Sequence, residues 1–114
     1  MTKITFFKKD GLYTGFEVSG HSGYGKSGKD IVCAAISVLT INTVNSLDEI
    51  CHELLEVSQN EEEGYLKVQL LSFNNPASSV LMEALVLGTV SIQNEYGSKY
   101  CKVDYKEENA NVKA

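Results

Sequence analysis

The sequence predicts a single small α+β domain in the order ββαββαβ, a mostly antiparallel sheet packed with two helices. Three observations carry this. Two alternating apolar segments flank an Asp-Gly pair near the N-terminus, the signature of a hairpin. Two long apolar segments, beginning near Ile31 and Ala77, carry no internal proline and read as helices. Short strand-like runs follow each of them, so hairpins and helices are separated as an α+β architecture requires.

Each element has its own signal. Ile4 to Lys8 reads as a strand, Lys9-Asp10-Gly11 as the turn, and Leu12 to Val18 as the returning strand. From Ser19 to Lys29 the glycines are too dense for regular structure, which predicts a mobile surface loop. Asp30 is a good N-cap for a helix from Ile31 to about Leu55. The first turns of that helix are apolar on every side, which predicts burial. Ser46-x-x-Glu49 resembles a capping box and allows a break near Asn45. Glu56 to Gln59 is a short strand, the run 60–64 a polar turn, and Tyr65 to Leu71 a firmer strand ended by Asn74-Asn75-Pro76. Ala77 to Tyr96 is the second helix, with Gly97 in the C′ position. Lys99 to Tyr105 is the last strand. The domain is thus expected over residues 1–105, with a polar, frayed tail over 106–114. The second helix is apolar beyond what one sheet-facing stripe needs, which points either to a dimer partner or to a fully buried helix.

Composition narrows the function classes. The 114 residues carry a net charge of −5 at pH 7. A nucleic-acid binder needs a basic face, which this balance does not offer, so a basic peptide is the better partner. Three cysteines argue against a disulfide framework and for a reducing compartment, the cytoplasm. Neither a signal peptide nor a membrane span is expected.

Chemistry concentrates around the glycine-rich loop. If Asp30 is the N-cap, Cys33 sits at N3, where the positive end of the helix dipole favours a thiolate, the form a cysteine nucleophile needs. His21, at the other end of the loop, can fold back to act as its base. Free N–H groups of the first helical turn can stabilise an oxyanion. Asp30 can cap the helix or orient the imidazole, and the cap is favoured. Ser37, one turn beyond Cys33, can support the site, take part in a Ser–His arrangement, or bond back to the Cys33 carbonyl; the last is favoured. Gly20, Ser22, Gly23, Tyr24, Gly25 and Gly28 form the candidate substrate loop. A core role for Cys33 and a solvated His21 are the plain alternatives. Cys51 and Cys101 read as core thiols.

Two other chemistries are weighed and set aside. The run from Gly20 to Ser27 fits G-x-x-x-x-G-K-S/T letter by letter, yet Gly28 and Asp30 delay the helix, no acidic residue ends a second apolar strand, and hairpins replace parallel βαβ units. A metal site from His21, Cys33, Cys51, His52 and Cys101 lacks any C-x-x-C or H-x-x-x-H spacing, so no metal or cofactor is expected.

The run Gly20-His21-Ser22-Gly23-Tyr24-Gly25, followed by Gly28-Lys29-Asp30-Ile31-Val32-Cys33-Ala34-Ala35-Ile36-Ser37, resembles the ribosomal-processing cysteine protease family, Prp. The segment Leu81 to Gly88 resembles the family's second helix. The resemblance implies a small homodimeric cysteine peptidase whose nucleophile falls on Cys33 and histidine on His21. It also implies removal of an N-terminal extension from large-subunit ribosomal protein L-twenty-seven, a step in ribosome assembly, with a loop that orders on substrate binding. Ser22 stands where the family commonly has alanine. The alternative function is a ribosome-assembly factor that binds a basic protein tail without cutting it.

Overall fold

The computed structural model describes residues 1–26, 29–72 and 75–108. It contains β1 (Thr2–Lys9), β2 (Leu12–Ser19), α1 (Ile31–Glu49), β3 (Leu55–Asn60), β4 (Tyr65–Leu70), α2 (Pro76–Tyr96) and β5 (Cys101–Glu107). This is the expected ββαββαβ order. The strands form one five-stranded sheet in the order β3-β4-β2-β1-β5. Pairs β1–β2, β2–β4 and β3–β4 are antiparallel, and β1–β5 is parallel.

Local chemistry explains the strand frame. Asp10 and Gly11 both take positive φ, 52° and 80°, as a two-residue hairpin turn demands, and Lys9 pairs with Leu12 across it. Gly15 lets β2 approach β4 closely: a Cβ there would lie 2.3 Å from the Val68 carbonyl oxygen. The parallel β5 needs a long crossover from β4, and α2 supplies it. β5 runs through Glu107, beyond the Tyr105 boundary read from the sequence, and Glu108 N–H still donates to the Lys8 carbonyl at 2.6 Å. The tail from 109 lies outside the described residues.

α1 ends at Glu49 rather than near Leu55, and it runs unbroken past Asn45. Ser46 is therefore near its C-terminus, where its carbonyl accepts from Ile50 and Cys51 N–H groups. The apolar spacing carries on through Ile50 and Leu54, but His52 takes φ 55° and turns the chain. Behind that turn Glu53 is buried and accepts from the Ser78 hydroxyl, tying the α1–β3 connection to the start of α2. Leu55 then pairs with Leu70. Cys51 thus lies in a turn, half-buried, not in a helix interior. Cys101 is fully buried, which pushes its thiol pKa up. α2 opens on Asn75, whose side chain accepts from Ala77 N–H, with Pro76 in the first turn where its missing N–H costs nothing. Gly97 closes it, with its N–H on the Gln93 carbonyl.

One core joins both helices to one face of the sheet. Val32, Ile36 and Leu47 of α1, and Met82, Leu85 and Ile92 of α2, meet Ile4, Phe6, Phe16 and Val68. Burial of this apolar area is the main stabilising term. The helices meet closely at Gly88, where a Cβ would lie 2.9 Å from Leu39 Cδ1. By length and composition both helices are apolar enough to cross a membrane, against the expectation from the sequence. Each lays a buried face on the sheet, Val32, Ile36 and Leu47 from α1 and Met82, Leu85 and Ile92 from α2. The expected all-round burial of the first turns of α1 is also not met: Ile31 and Val38 are exposed, and so is Ile41 a turn further on. Two helices on one face leave nothing to cover their outer sides.

Candidate active site

The site forms where β2 hands over to α1. Gly20, at φ 90°, turns the chain out of β2, and no side chain fits there because a Cβ would meet the Met1 carbonyl oxygen at 2.5 Å. The loop then wraps onto Asp30. That carboxylate accepts Val32 and Cys33 N–H groups, each at 3.0 Å, and so caps α1. Its other oxygen accepts the Ser22 hydroxyl and the N–H groups of Tyr24 at 3.1 Å and Gly25 at 3.2 Å. Desolvation pushes the Asp30 carboxyl up, but the Ser22 hydroxyl and the Cys33, Gly25 and Tyr24 N–H groups outweigh it and hold the pKa at about 2. Tyr24 packs edge-on against Tyr96 and Tyr100. The part of the loop before Ser27, predicted to be mobile, is thus tied down at several points. Ser27 and Gly28 lie outside the described residues.

This local frame fixes Cys33 at N3 of α1, half-buried. Its sulfur accepts the Ser22 N–H at 3.3 Å. The sulfur thus sits between a backbone N–H and the first turn of α1. His21 is exposed and hydrogen-bonds through Nε2 to the Glu62 carbonyl at 3.2 Å, not to Cys33 and not to Asp30. The carboxylate of Asp30 is spent on the cap and the loop. Cys33 and His21 instead share the walls of two clefts. One, of about 300 Å3, runs toward β3 and β4 past Ile36, Thr40, Gln59 and Tyr65. The other, of about 400 Å3, lies under Gly23, Gly25 and Ala34. Ser37 lines both clefts. The favoured back-bond from its hydroxyl to the Cys33 carbonyl is not formed among the described residues; the carbonyl of Ser37 accepts from Thr40 instead.

Among the described residues, phosphate-loop geometry is not present. α1 starts at Ile31, after the Asp30 cap, and β2 is flanked by antiparallel neighbours. Sequence reasoning placed the polar turn over residues 60–64, as found between β3 and β4, but missed its contact with His21, which is made by a backbone carbonyl that no residue type signals.

A helix-seated thiol that opens on a two-sided cleft, with an imidazole in the same walls, defines a domain of the cysteine-peptidase class. The chain belongs to the cysteine protease Prp family, which it matches over residues 1–102. It is 24% identical to the ribosomal processing cysteine protease Prp of Staphylococcus aureus over 97 residues, 85% of this chain and 91% of that protein. It is 24% identical to the Bacillus subtilis protein of the same name over 87 residues, 71% of this chain and 76% of the other. The fold is that of the S. aureus protease solved with a covalently linked product peptide: TM-score 0.88, 23% identity, 93% of this chain and 100% of that one. A Streptococcus mutans protein superposes with TM-score 0.83 at 26% identity, covering 95% and 99%.

Proposed function

We propose that this chain is a cysteine endopeptidase that removes the N-terminal extension of ribosomal protein L-twenty-seven in the cytoplasm, supporting ribosome assembly, and that it works as a homodimer. Cys33 is the nucleophile and His21 its base. The observation that carries this is the seat of Cys33 at N3 of α1, with the Ser22 N–H on its sulfur and His21 in the walls of the same two clefts. A peptide lying across the two clefts would present its scissile carbonyl to the sulfur between them. His21 accepts the thiol proton; the thiolate adds to the carbonyl carbon; the protonated imidazole then gives its proton to the leaving amine, leaving an acyl-enzyme for water to hydrolyse. The Cys33 N–H is taken up by the Asp30 carboxylate and the Ser22 N–H by the Cys33 sulfur, so either would have to leave its partner to serve an oxyanion.

Three further observations support the substrate, the compartment and the assembly. The charge of −5 suits a basic ribosomal protein tail. All three cysteines are free, as a reducing cytoplasm keeps them. Val38, Val80 and Leu87 leave an apolar helical surface for a second copy. Mixing the protein with a peptide that bears the extension, and reading intact mass, tests the activity. Wild type yields two fragments, and Cys33→Ala yields none while its circular dichroism is unchanged. Cleavage by Cys33→Ala would remove Cys33 from the mechanism. Tight binding by wild type with no change in peptide mass would favour a tail-binding assembly factor.

A further inference from the structure

The β3–β4 turn, residues 61–64, reaches across to His21, and the contact decides which ring nitrogen can act. A carbonyl oxygen can only accept, so the Nε2 that meets the Glu62 carbonyl at 3.2 Å must carry the proton. In the neutral ring that leaves the lone pair on Nδ1. Gly64 holds the turn in place. It takes φ 62°, and a Cβ there would lie 2.6 Å from the Gly20 oxygen and 3.0 Å from His21 Cε1. Asn60 shapes the same turn by accepting the Glu63 N–H at 3.2 Å.

We propose that the β3–β4 turn is the orienting element of this active site: the Glu62 carbonyl fixes His21 as the Nε2–H tautomer, Nδ1 is the proton acceptor, and Gly64 is a positioning residue that permits the contact. The proposal rests on the reading of His21 as base. When the Cys33 S–H bond breaks, the electron pair stays on sulfur and the proton forms a bond to Nδ1. The resulting imidazolium keeps its Nε2–H on the Glu62 carbonyl, which stabilises the added positive charge. An orienting carboxylate is then not needed, which frees Asp30 for the cap and the loop. The same turn lines the sheet-side groove through Glu61, so a peptide bound there sits beside the element that orients the base.

Nitrogen-15 NMR of the His21 ring, at a pH where it is neutral, tests the tautomer without any substrate. The expected result is a protonated Nε2 and an unprotonated Nδ1. Glu62→Ala keeps that signature, because the acceptor is the backbone. Gly64→Ala loses it and lowers kcat by about 10- to 100-fold with KM little changed, as expected for a misplaced catalytic group. A wild-type ring protonated on Nδ1, or evenly mixed, overturns the proposal even if Gly64→Ala fails to fold. A folded Gly64→Ala with unchanged tautomer and kcat overturns the role of Gly64. His21→Ala separates the two readings. If it cleaves normally, His21 is not the base, whatever its tautomer; if it is inactive while wild type shows Nδ1–H, the base stands and the orienting turn falls.

Discussion

At the scale of the residue, Asp30 is the densest point of the site. One carboxylate satisfies the first N–H groups of α1 and gathers the start of the loop. Because its folded pKa is held at about 2, below the ordinary 3.8, its contribution to stability is fully present above pH 4. It fades as the pH falls from about 4 through about 2, since protonation then removes the acceptor. The Ser22 hydroxyl is one cause of the depression, so Ser22→Ala should raise the Asp30 pKa and move acid unfolding to higher pH. Carbon-13 titration of the Asp30 carboxyl and a circular-dichroism acid titration check both. The buried Ser22 makes that loss costly, about 1 kcal/mol at neutral pH. Asp30→Ala should cost about 1–2 kcal/mol through the lost cap and release the loop as well. An unchanged acid midpoint in Ser22→Ala would mean that the hydroxyl does not tune the carboxylate.

At the scale of the element, two glycines show how far the cost of the same substitution depends on what the new Cβ meets. A Cβ on Gly15 meets the backbone oxygen of Val68, which belongs to the sheet and cannot yield. Gly15→Ala should therefore destabilise by about 3 kcal/mol, near the upper end of overpacking effects. A Cβ on Gly88 meets the end of the Leu39 side chain, which can rotate away. There the helix propensity of alanine, about 1 kcal/mol over glycine, offsets the crowding, and Gly88→Ala should be close to neutral. Chemical denaturation of the two variants checks the contrast. Elements with punctuation of their own were legible in the sequence: Asp10-Gly11, the Asp30 cap, Asn75-Pro76 and Gly97 all stand at element boundaries. The end of α1 was not, because Ile50 and Leu54 continue a helical spacing and the stop is made by His52 in a left-handed conformation, backed by the tertiary pair of Glu53 with Ser78. Cys33, Asp30 and His21 lie close along the chain and could be read together. The Glu62 carbonyl could not, since it reaches His21 only through the pairing of β2 with β4.

At the scale of the whole molecule, the sheet has helices on one face, and the helices have nothing on theirs. Val38 is 67% exposed, Val80 66% and Leu87 70%. Val80 and Leu87 lie seven positions apart on α2, two turns along one stripe, and Ile31 and Val38 repeat that spacing on α1. α1 carries no charge before Asp48, and α2 only Glu83 and Glu95. An apolar surface on two adjacent helices, with the exposed Glu83 the one charge between Val80 and Leu87, suits a second copy of the chain, provided that about 1,600 Å2 is buried between the copies. If so, Val38→Glu with Leu87→Glu should convert a dimer to a monomer in light scattering, since buried unpaired carboxylates oppose association. Both positions are exposed, so the fold of each chain should survive, but its melting temperature should lose the concentration dependence that dimerisation gives the wild type. A wild type that scatters as a monomer at micromolar concentration, with a melting temperature independent of concentration, would refute this assembly. The Cys33 chemistry would then have to work within one chain, because every residue assigned to it already does.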